Sequence, residues 1–310
     1  MPELPEVTTT VMGLKKVLPG LVFLGVWTDL SKKNQKIKQF KDTIKNESFF
    51  KLIKKQLLGK KIIQVERRAK NILIHVSGGY TILIHLKMTG HLLYGKYVFS
   101  KKDKVWTPDA KERKSLFDPY NRFIHVVFSL SNGKHLVFCD SRKFGKITIV
   151  PTKEIGTSSH LKNIGPEPLE KNFTFSLFEN RLLLKPNWKI KTTLMDQSII
   201  AGIGNIYSDE MLWLSGINPE SETGKIPKKY LLSLYKSMQK VLSAGINFGG
   251  DSMSDYRNIH GERGDFQNHH NVYKKKGSLC LKRGCRGVII RKIINGRSAH
   301  FCDKHQKLFK

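Results

Sequence analysis

Asn71-Ile-Leu-Ile-His-Val76 and Tyr80-Thr-Ile-Leu-Ile-His-Leu86, joined by Ser77-Gly78-Gly79, read as two apolar strands around a glycine turn. Glycines between two runs rich in β-branched residues are a hairpin signal, because the turn needs backbone angles that side chains disfavour. A second pair follows the same logic. Arg122–Leu130 and His135–Asp140 flank Ser131-Asn132-Gly133-Lys134, and Asn-Gly is the strongest of the short turn signals. Phe144–Val150 continues the pattern. Short, closely spaced strands predict an antiparallel sandwich or barrel. The polar, Lys-rich segment from Phe99 to Tyr120 is expected to be a surface loop.

Upstream, Val7, Val11, Leu14 and Leu18 recur at spacings of four, three and four, which marks a helix with one buried stripe over Glu3–Leu18, ended by Pro19-Gly20. Downstream, a Gly-, Ser- and Pro-punctuated stretch at 151–168 separates the strands from helical periodicity at roughly 169–184, 189–197, 205–215 and 227–246. The longest helix puts Leu231, Leu234, Met238, Val241 and Leu242 on one face. After Gly249-Gly250 the chain reads as polar and flexible until Val272. The expected organisation is an α+β chain: a β domain at 1–150, a linker at 151–168, a helical domain at 169–262 and a small unit at 263–310.

Lys and Arg number 55 against 25 Asp and Glu, a formal net charge of +30, and this predicts a polyanionic partner, of which nucleic acid is the obvious one. A Lys-rich proteome bias is the alternative. No apolar run approaches a membrane span and the acidic N-terminus lacks a signal-peptide pattern, so the chain is expected to be intracellular and cytoplasmic. Three of the four cysteines crowd near the C-terminus. Cys280-x4-Cys285-x16-Cys302-x2-His305 has the form of a zinc site, two close ligand pairs separated by a hairpin-sized segment. Val288-Ile-Ile290 and Ser298–Phe301 would be its strands and Asn295-Gly296 its turn, with Arg291, Lys292 and Arg297 making it basic. A unit this small needs a metal to hold it, and one Zn2+ per chain is expected.

The first seven residues, Met1-Pro-Glu-Leu-Pro-Glu-Val7, carry the chemistry. Removal of Met1 would leave Pro2 as a terminal secondary amine, titrating near ~8 and nucleophilic toward electrophilic sugar carbons. Glu3 and Glu6 fall on one side of a helical turn beside it and are placed to move protons. Pro and Glu also simply favour first helical turns, which is the plainer explanation. Ile203-Gly-Asn205-Ile-Tyr207 reads as a glycine turn opening a helix, with amides for a phosphate and Asn205 as cap and donor, or as an ordinary capped turn. Asp140-Ser-Arg142-Lys-Phe144-Gly lies between strands, where Arg and Phe can enter a duplex; Met88, in Lys87-Met-Thr-Gly-His91, is a third candidate filler. Arg67-Arg68-Ala69-Lys70 precedes a strand as a phosphate contact or a solvated cluster. Cys139 is expected to be a core thiol, and His85 a satisfied strand-end histidine.

Together these stretches resemble the formamidopyrimidine-DNA glycosylase family of base-excision repair. The resemblance rests on Met1-Pro-Glu-Leu-Pro-Glu-Val7, Arg68-Ala-Lys70, His85-Leu-Lys-Met88-Thr-Gly, Asp140-Ser-Arg142-Lys-Phe144-Gly, Ile164-Gly-Pro-Glu-Pro-Leu169, Gly202-Ile-Gly-Asn205-Ile-Tyr, Gly249-Gly250 and the C-terminal finger. It covers nearly the whole chain, in the family's order. It implies a β-sandwich, then a helix–two-turn–helix domain and a zinc finger, acting as a monomer on duplex DNA held in the cleft between. Pro2 would attack C1′, Glu3 would transfer protons, Glu6 would support the site, and Lys70 would hold a phosphate and assist the chemistry. Lys191 matches a family lysine near the lesion. Asn205 and Arg297 would bind flanking phosphates. His85 falls among the DNA-facing residues, and Met88, Arg142 and Phe144 would fill the hole left by the everted base. Gly249–Phe266, with Ser252, Ser254, Tyr256 and Arg257, would lie over that base.

The resemblance therefore implies a glycosylase for oxidised purines that also cleaves abasic sites by β,δ-elimination. Leu4, with Arg142 and Phe144, favours this over the sister branch acting on oxidised pyrimidines. Pro2, Glu3 and Lys70 together argue against a non-catalytic DNA-binding protein. The finger departs from the family's usual pattern of four cysteines with two residues inside each pair: the first gap here is four, and His305 is the last ligand.

Overall fold

In the computed structural model, which describes residues 1–33 and 35–310, the chain forms two units, Met1–Lys162 with Phe248–Asp265, and Asn163–Asn247 with Phe266–Lys310. The first contains α1 (Leu4–Val17), β1 (Phe23–Thr28), α2 (Glu47–Leu57), β2 (Ile62–Arg68), β3 (Asn71–Val76), β4 (Tyr80–His85), β5 (His91–Gly95), β6 (Tyr97–Ser100), β7 (Val105–Pro108), β8 (Ile124–Leu130), β9 (His135–Cys139) and β10 (Lys146–Pro151). Two antiparallel four-stranded sheets, ordered β1-β8-β9-β5 and β10-β4-β3-β2, make the expected sandwich. Ile72, Ile74, Ile82 and Ile84 of one sheet share a core with Phe23, Val126, Phe128 and Phe138 of the other. Val7, Val11, Leu14 and Leu18 close that core as one stripe, and α1 packs on β2 and β3. The β3–β4 turn works because Gly78 and Gly79 both take positive φ, +87° and +76°.

The second unit contains α3 (Phe175–Leu182), α4 (Ile190–Met195), α5 (Asn205–Ser215), α6 (Lys228–Asn247) and the β11 (Ile289–Ile294) and β12 (Arg297–Cys302) hairpin. The α6 stripe named from the sequence is buried among Phe178, Leu194, Tyr207 and Met211. Tyr207 stacks on Phe266 with centroids 5.0 Å apart. The hairpin turns at Asn295-Gly296, both at positive φ. No described helix is long and apolar enough to cross a membrane.

Several expectations are corrected. Residues 169–174 are not helical; Thr174 caps α3 by accepting from the Leu177 amide, so the helix starts later. The Phe99–Tyr120 loop holds half of a hairpin, β6 with β7. Three of its five lysines occupy the turn at 101–104, while Phe99 and Trp106 pack against Trp27 at 5.9 and 6.1 Å. Arg67 and Arg68 end β2 as well as preceding β3, and Ala69 and Lys70 form the turn. Helix α2 escaped notice although Asn46 caps it, accepting from the Phe49 amide at 3.0 Å.

The largest departure is residues 248–265. They belong with the β unit, not with a helical domain reaching residue 262, and they are packed rather than loose. Ile259 sits 2% exposed beside Gly13, its carbonyl accepting from the Tyr94 amide at 2.7 Å. The Cys/His hairpin does not separate as a unit of its own: it groups with the helices. Glu210 of α5 explains the attachment, accepting from the amides of Asn271, Val272 and Tyr273 at 2.8–3.0 Å.

Candidate active site and metal centre

Helix α1 begins with a capping box. The Glu3 side chain accepts from the Glu6 amide, and the Glu6 carboxylate accepts from the Glu3 amide at 2.6 Å. Two amides that any helix start leaves open are thereby satisfied reciprocally. Both glutamates are 2% exposed and Pro2 is buried beside them. The second Glu6 oxygen accepts from the Asp251 amide at 2.8 Å, and the Glu6 carbonyl accepts from the Tyr256 hydroxyl at 3.0 Å. Gly250 makes this contact close: its φ is +87°, and a Cβ there would lie 2.9 Å from the Glu6 Cγ. Glu6 is thus the fastening point of residues 248–265.

That segment is rigid in its own right. The Ser252 hydroxyl donates to the Tyr256 carbonyl and accepts from the Gly264 amide, both at 2.8 Å. Buried Arg257 forks onto Asp118 at 3.1–3.2 Å, donates to the Ser254 and Tyr256 carbonyls, and lies over the Tyr120 ring. Tyr256 and Arg257 therefore spend their polar atoms inside the unit, whereas Met253 and Ser254, just before them, are exposed.

Lys70 is buried in the β2–β3 turn, and Asn71, its neighbour, pairs in register with His85. His85 Nδ1 accepts from the Lys87 amide at 3.0 Å, the satisfied strand end expected of it. Burial, with help from Lys87, Lys70 and Lys146, pushes the ring down to about 3. It is neutral at every physiological pH, so it acts as a dipole and not as a cation. Cys139 is fully buried and donates to the Asn121 carbonyl; desolvation drives its thiol far above the ordinary range.

Met88, Arg142 and Phe144 stand exposed on two loops that one carboxylate ties together. Fully buried Asp140 accepts from the Thr89 hydroxyl, from the Arg142 amide at 3.3 Å and from the Gly145 amide at 2.7 Å. The Arg142 guanidinium lies 4.8 Å from the Phe144 ring centroid. Gly145 is needed here because a Cβ would lie 2.2 Å from Phe138 Cζ.

In the second unit, Gly204 rather than Asn205 caps α5. The Asn205 amide reaches the Ser298 hydroxyl at 3.4 Å, which places it beside exposed Arg297 on β12. Lys191 does not present a free ammonium. It is 1% exposed and donates to Asp209 at 2.5 Å and to Ser208 at 3.2 Å. Asp209 also accepts from the His300 amide and Nδ1 at 2.9 and 3.0 Å, joining α4, α5 and β12. Sequence reasoning missed Asp118, Asp209, Glu210 and Asp251 and gave Asp140, though it heads a quoted motif, no role of its own; among the missed residues only Asp209-Glu210 gave a signal, as paired acids within a largely buried helix.

Cys280, Cys285, Cys302 and His305 bring their ligand atoms within 4.8 Å of one another, so this cluster could hold a metal ion. The sulfurs of Cys285 and Cys302 are 3.6 Å apart, far beyond the ~2.05 Å of a disulfide. His305 Nε2 donates to the Trp213 carbonyl at 2.9 Å, which leaves Nδ1, 3.3 Å from Cys280 Sγ, to face the cluster. A second hydrogen bond of this kind orients a metal-binding imidazole. Trp213 Nε1, the Gly287 amide and the Lys304 amide donate to the three sulfurs at 3.3–3.4 Å.

Comparison with known proteins matches residues 1–147 to the formamidopyrimidine-DNA glycosylase N-terminal domain and residues 164–257 to the formamidopyrimidine-DNA glycosylase H2TH domain. A formamidopyrimidine-DNA glycosylase of Pelotomaculum thermopropionicum is 36% identical over 312 residues, covering 99% of this chain and 100% of that one. One from Pediococcus pentosaceus is 36% identical over 309 residues, with the same coverage. Among solved structures, Lactococcus lactis Fpg bound to DNA with an abasic site superposes with a TM-score of 0.80 at 30% identity, covering 98% of this chain and 99% of that one. MutM in complex with DNA containing carbocyclic 8-oxo-G gives 0.79 at 29% identity, covering 99% and 100%.

Proposed function

This chain belongs to the formamidopyrimidine-DNA glycosylase family, and from that premise we propose that it excises oxidised purines from duplex DNA and then cleaves the abasic site it makes. The substrates are 8-oxoguanine and formamidopyrimidines, both represented in DNA bound to its structural relatives, one of which is also solved with an oxidised pyrimidine. With Met1 removed, the Pro2 nitrogen attacks C1′ of the damaged nucleotide. The C1′–base bond breaks and the base leaves with the amine proton; the C1′–O4′ bond then opens, O4′ taking a proton, and an iminium joins the opened sugar to Pro2. The iminium acidifies C2′–H. Loss of that proton expels the 3′ phosphate, and a second elimination releases the 5′ phosphate. Glu3 is the group that moves protons, Glu6 holds the turn, and Lys70 balances phosphate charge.

The observation that carries this reading is the buried pair Glu3 and Glu6 locked in one turn beside Pro2. A plain helix start would leave such carboxylates in water, because burying them costs several kcal/mol unless they are paired or hydrogen-bonded. A base inside a duplex cannot present C1′ to an amine, so it must be everted. Met88, Arg142 and Phe144 fill the gap, and Asn205 and Arg297 hold phosphates, in this reading. The Cys/His cluster takes one Zn2+, which suits three thiolates and an imidazole, and the ion's part is to fix the hairpin that carries Arg297.

Borohydride trapping on a duplex with one 8-oxoguanine opposite cytosine, with the cross-link mapped, tests the mechanism. A cross-link at Pro2 is the expected result. Trapping only on an oxidised pyrimidine moves the chain to the sister branch, and binding without trapping on any lesion refutes the Pro2 mechanism and favours a non-catalytic DNA-binding protein.

A further inference from the structure

We propose that Lys45 is a positioning residue for the hole-filling loop, its ammonium holding the Lys143 carbonyl so that Arg142 and Phe144 are presented in one fixed conformation. The proposal rests on the reading of Arg142 and Phe144 as fillers. The Asp140 carboxylate secures the ends of the loop, through the Arg142 and Gly145 amides, and the Asp140 carbonyl accepts from the Lys143 amide at 3.1 Å. The apex is Lys143, a non-glycine residue at φ +56°, a conformation that L-residues disfavour. Among the described residues one side chain holds the carbonyl at that apex: Lys45 Nζ donates to the Lys143 carbonyl at 2.6 Å.

Lys45 is itself immobilised. Its neighbour Ile44 is in the sandwich core, and the Ile44 amide donates to the Ile147 carbonyl at 2.9 Å. The Thr148 hydroxyl donates to the Asp42 carbonyl at 2.5 Å, so residues 42–44 run along the free edge of β10. The Lys45 ammonium lies 3.7 Å from the Phe40 ring centroid, and the residue is 4% exposed. Among the described residues no carboxylate comes within ion-pair distance of it. A buried cation in that position is costly, and desolvation pushes this lysine down to about 8, with Lys146 and Lys87 adding to the shift against the opposing Asp140. A methionine would fill the same space without that cost. The ammonium's specific partner is the loop apex, and a fixed apex spares the loop an ordering step when it enters the duplex.

Lys45→Met removes the donor and keeps the bulk; Lys45→Arg restores a cationic donor. Single-turnover excision of 8-oxoguanine would be followed beside 2-aminopurine fluorescence from the base next to the lesion, which reports unstacking. Lys45→Met should slow both by about tenfold, the equivalent of one charge-assisted hydrogen bond. Cleavage of a preformed abasic site, which needs no base everted, should stay near the parent rate, and Lys45→Arg should recover most of the loss. Phe144→Ala is the reference. If Phe144→Ala slows eversion and Lys45→Met does not, the proposal is overturned and the filler reading stands. If Phe144→Ala has no effect, the filler reading falls and the proposal with it. Equal slowing of excision and abasic-site cleavage by Lys45→Met, with a lowered melting temperature and no rescue by arginine, would make Lys45 merely structural and also overturn it.

Discussion

The first turn of α1 and the Cys/His hairpin both hold a few atoms in a fixed arrangement, and they do it by opposite means. At Glu6 the fastening is a buried carboxylate whose oxygens accept from the Glu3 and Asp251 amides, with a large apolar core beneath it. At the hairpin the apolar clusters are small, and four side chains converge on a point where an ion can bind. The difference teaches where each region is vulnerable. The carboxylate site depends on contacts 245 residues apart, whereas the donor set spans residues 280–305 and could hold an ion.

The sharpest way to break the comparison is to remove the ion. Strong chelation, or Cys302→Ser, should unfold the hairpin and abolish lesion binding, since structural zinc supplies about 10–16 kcal/mol to such units. Metal content by mass spectrometry and the melting curve decide it; full binding by metal-free protein would show that the hairpin holds itself together. Next in size is Lys191→Met. It leaves the Asp209 charge buried without its cation and should cost about 3–5 kcal/mol, read in urea melts. A loss below 1 kcal/mol would mean that His300 alone satisfies Asp209.

Gly250→Ala probes the other region. Positive φ and the 2.9 Å approach to Glu6 should together cost about 1–3 kcal/mol and slow excision, with metal content unchanged. Metal loss in this variant would show the two fastenings to be coupled. The effect that is smallest at neutral pH concerns His85. Its pKa falls from 6.5 unfolded to about 3 folded, so the unfolded chain binds the extra proton between those values. The contribution to stability is complete above pH 6.5 and is lost as the pH falls toward 3. His85→Gln should flatten that acid limb of the melting temperature; an unchanged limb would place the titration elsewhere.

What the sequence made legible was local. The α1 stripe, the Gly-Gly and Asn-Gly hairpins, the Asp140–Gly145 loop and the four donors each announce themselves within a few tens of residues. Turn chemistry and helical period act at that range. Helix α2 was also legible in principle, from Asn46 and the Ile53/Leu57 spacing, and was overlooked because lysines dominate the stretch. The β6–β7 hairpin was hidden for the same reason: lysines at its turn outweighed Phe99 and Trp106, whose packing partner Trp27 lies on another strand. Residues 250–265 looked mobile because they are polar, yet their polar atoms are paired with one another and with Glu6, Ser115 and Asp118. Lys191 carried a family expectation of facing the lesion, and only the fold reveals Asp209 as its partner. Such pairings join distant parts of the chain and leave no periodic trace.

The hydrogen bond from the Asp251 amide to Glu6 also sets an order of events during synthesis. Helix α1 leaves the ribosome first, but the residue that completes its first turn follows 245 positions later. At ordinary elongation rates of about 5–20 residues per second, that interval is about 12–50 s. Throughout it the nascent chain carries Pro2 and its two carboxylates in an unfinished turn. A product released early, anywhere before residue 251, would lack the strap altogether. Chains that stop before residue 251 are thereby left with a first turn of α1 that lacks its Asp251 donor.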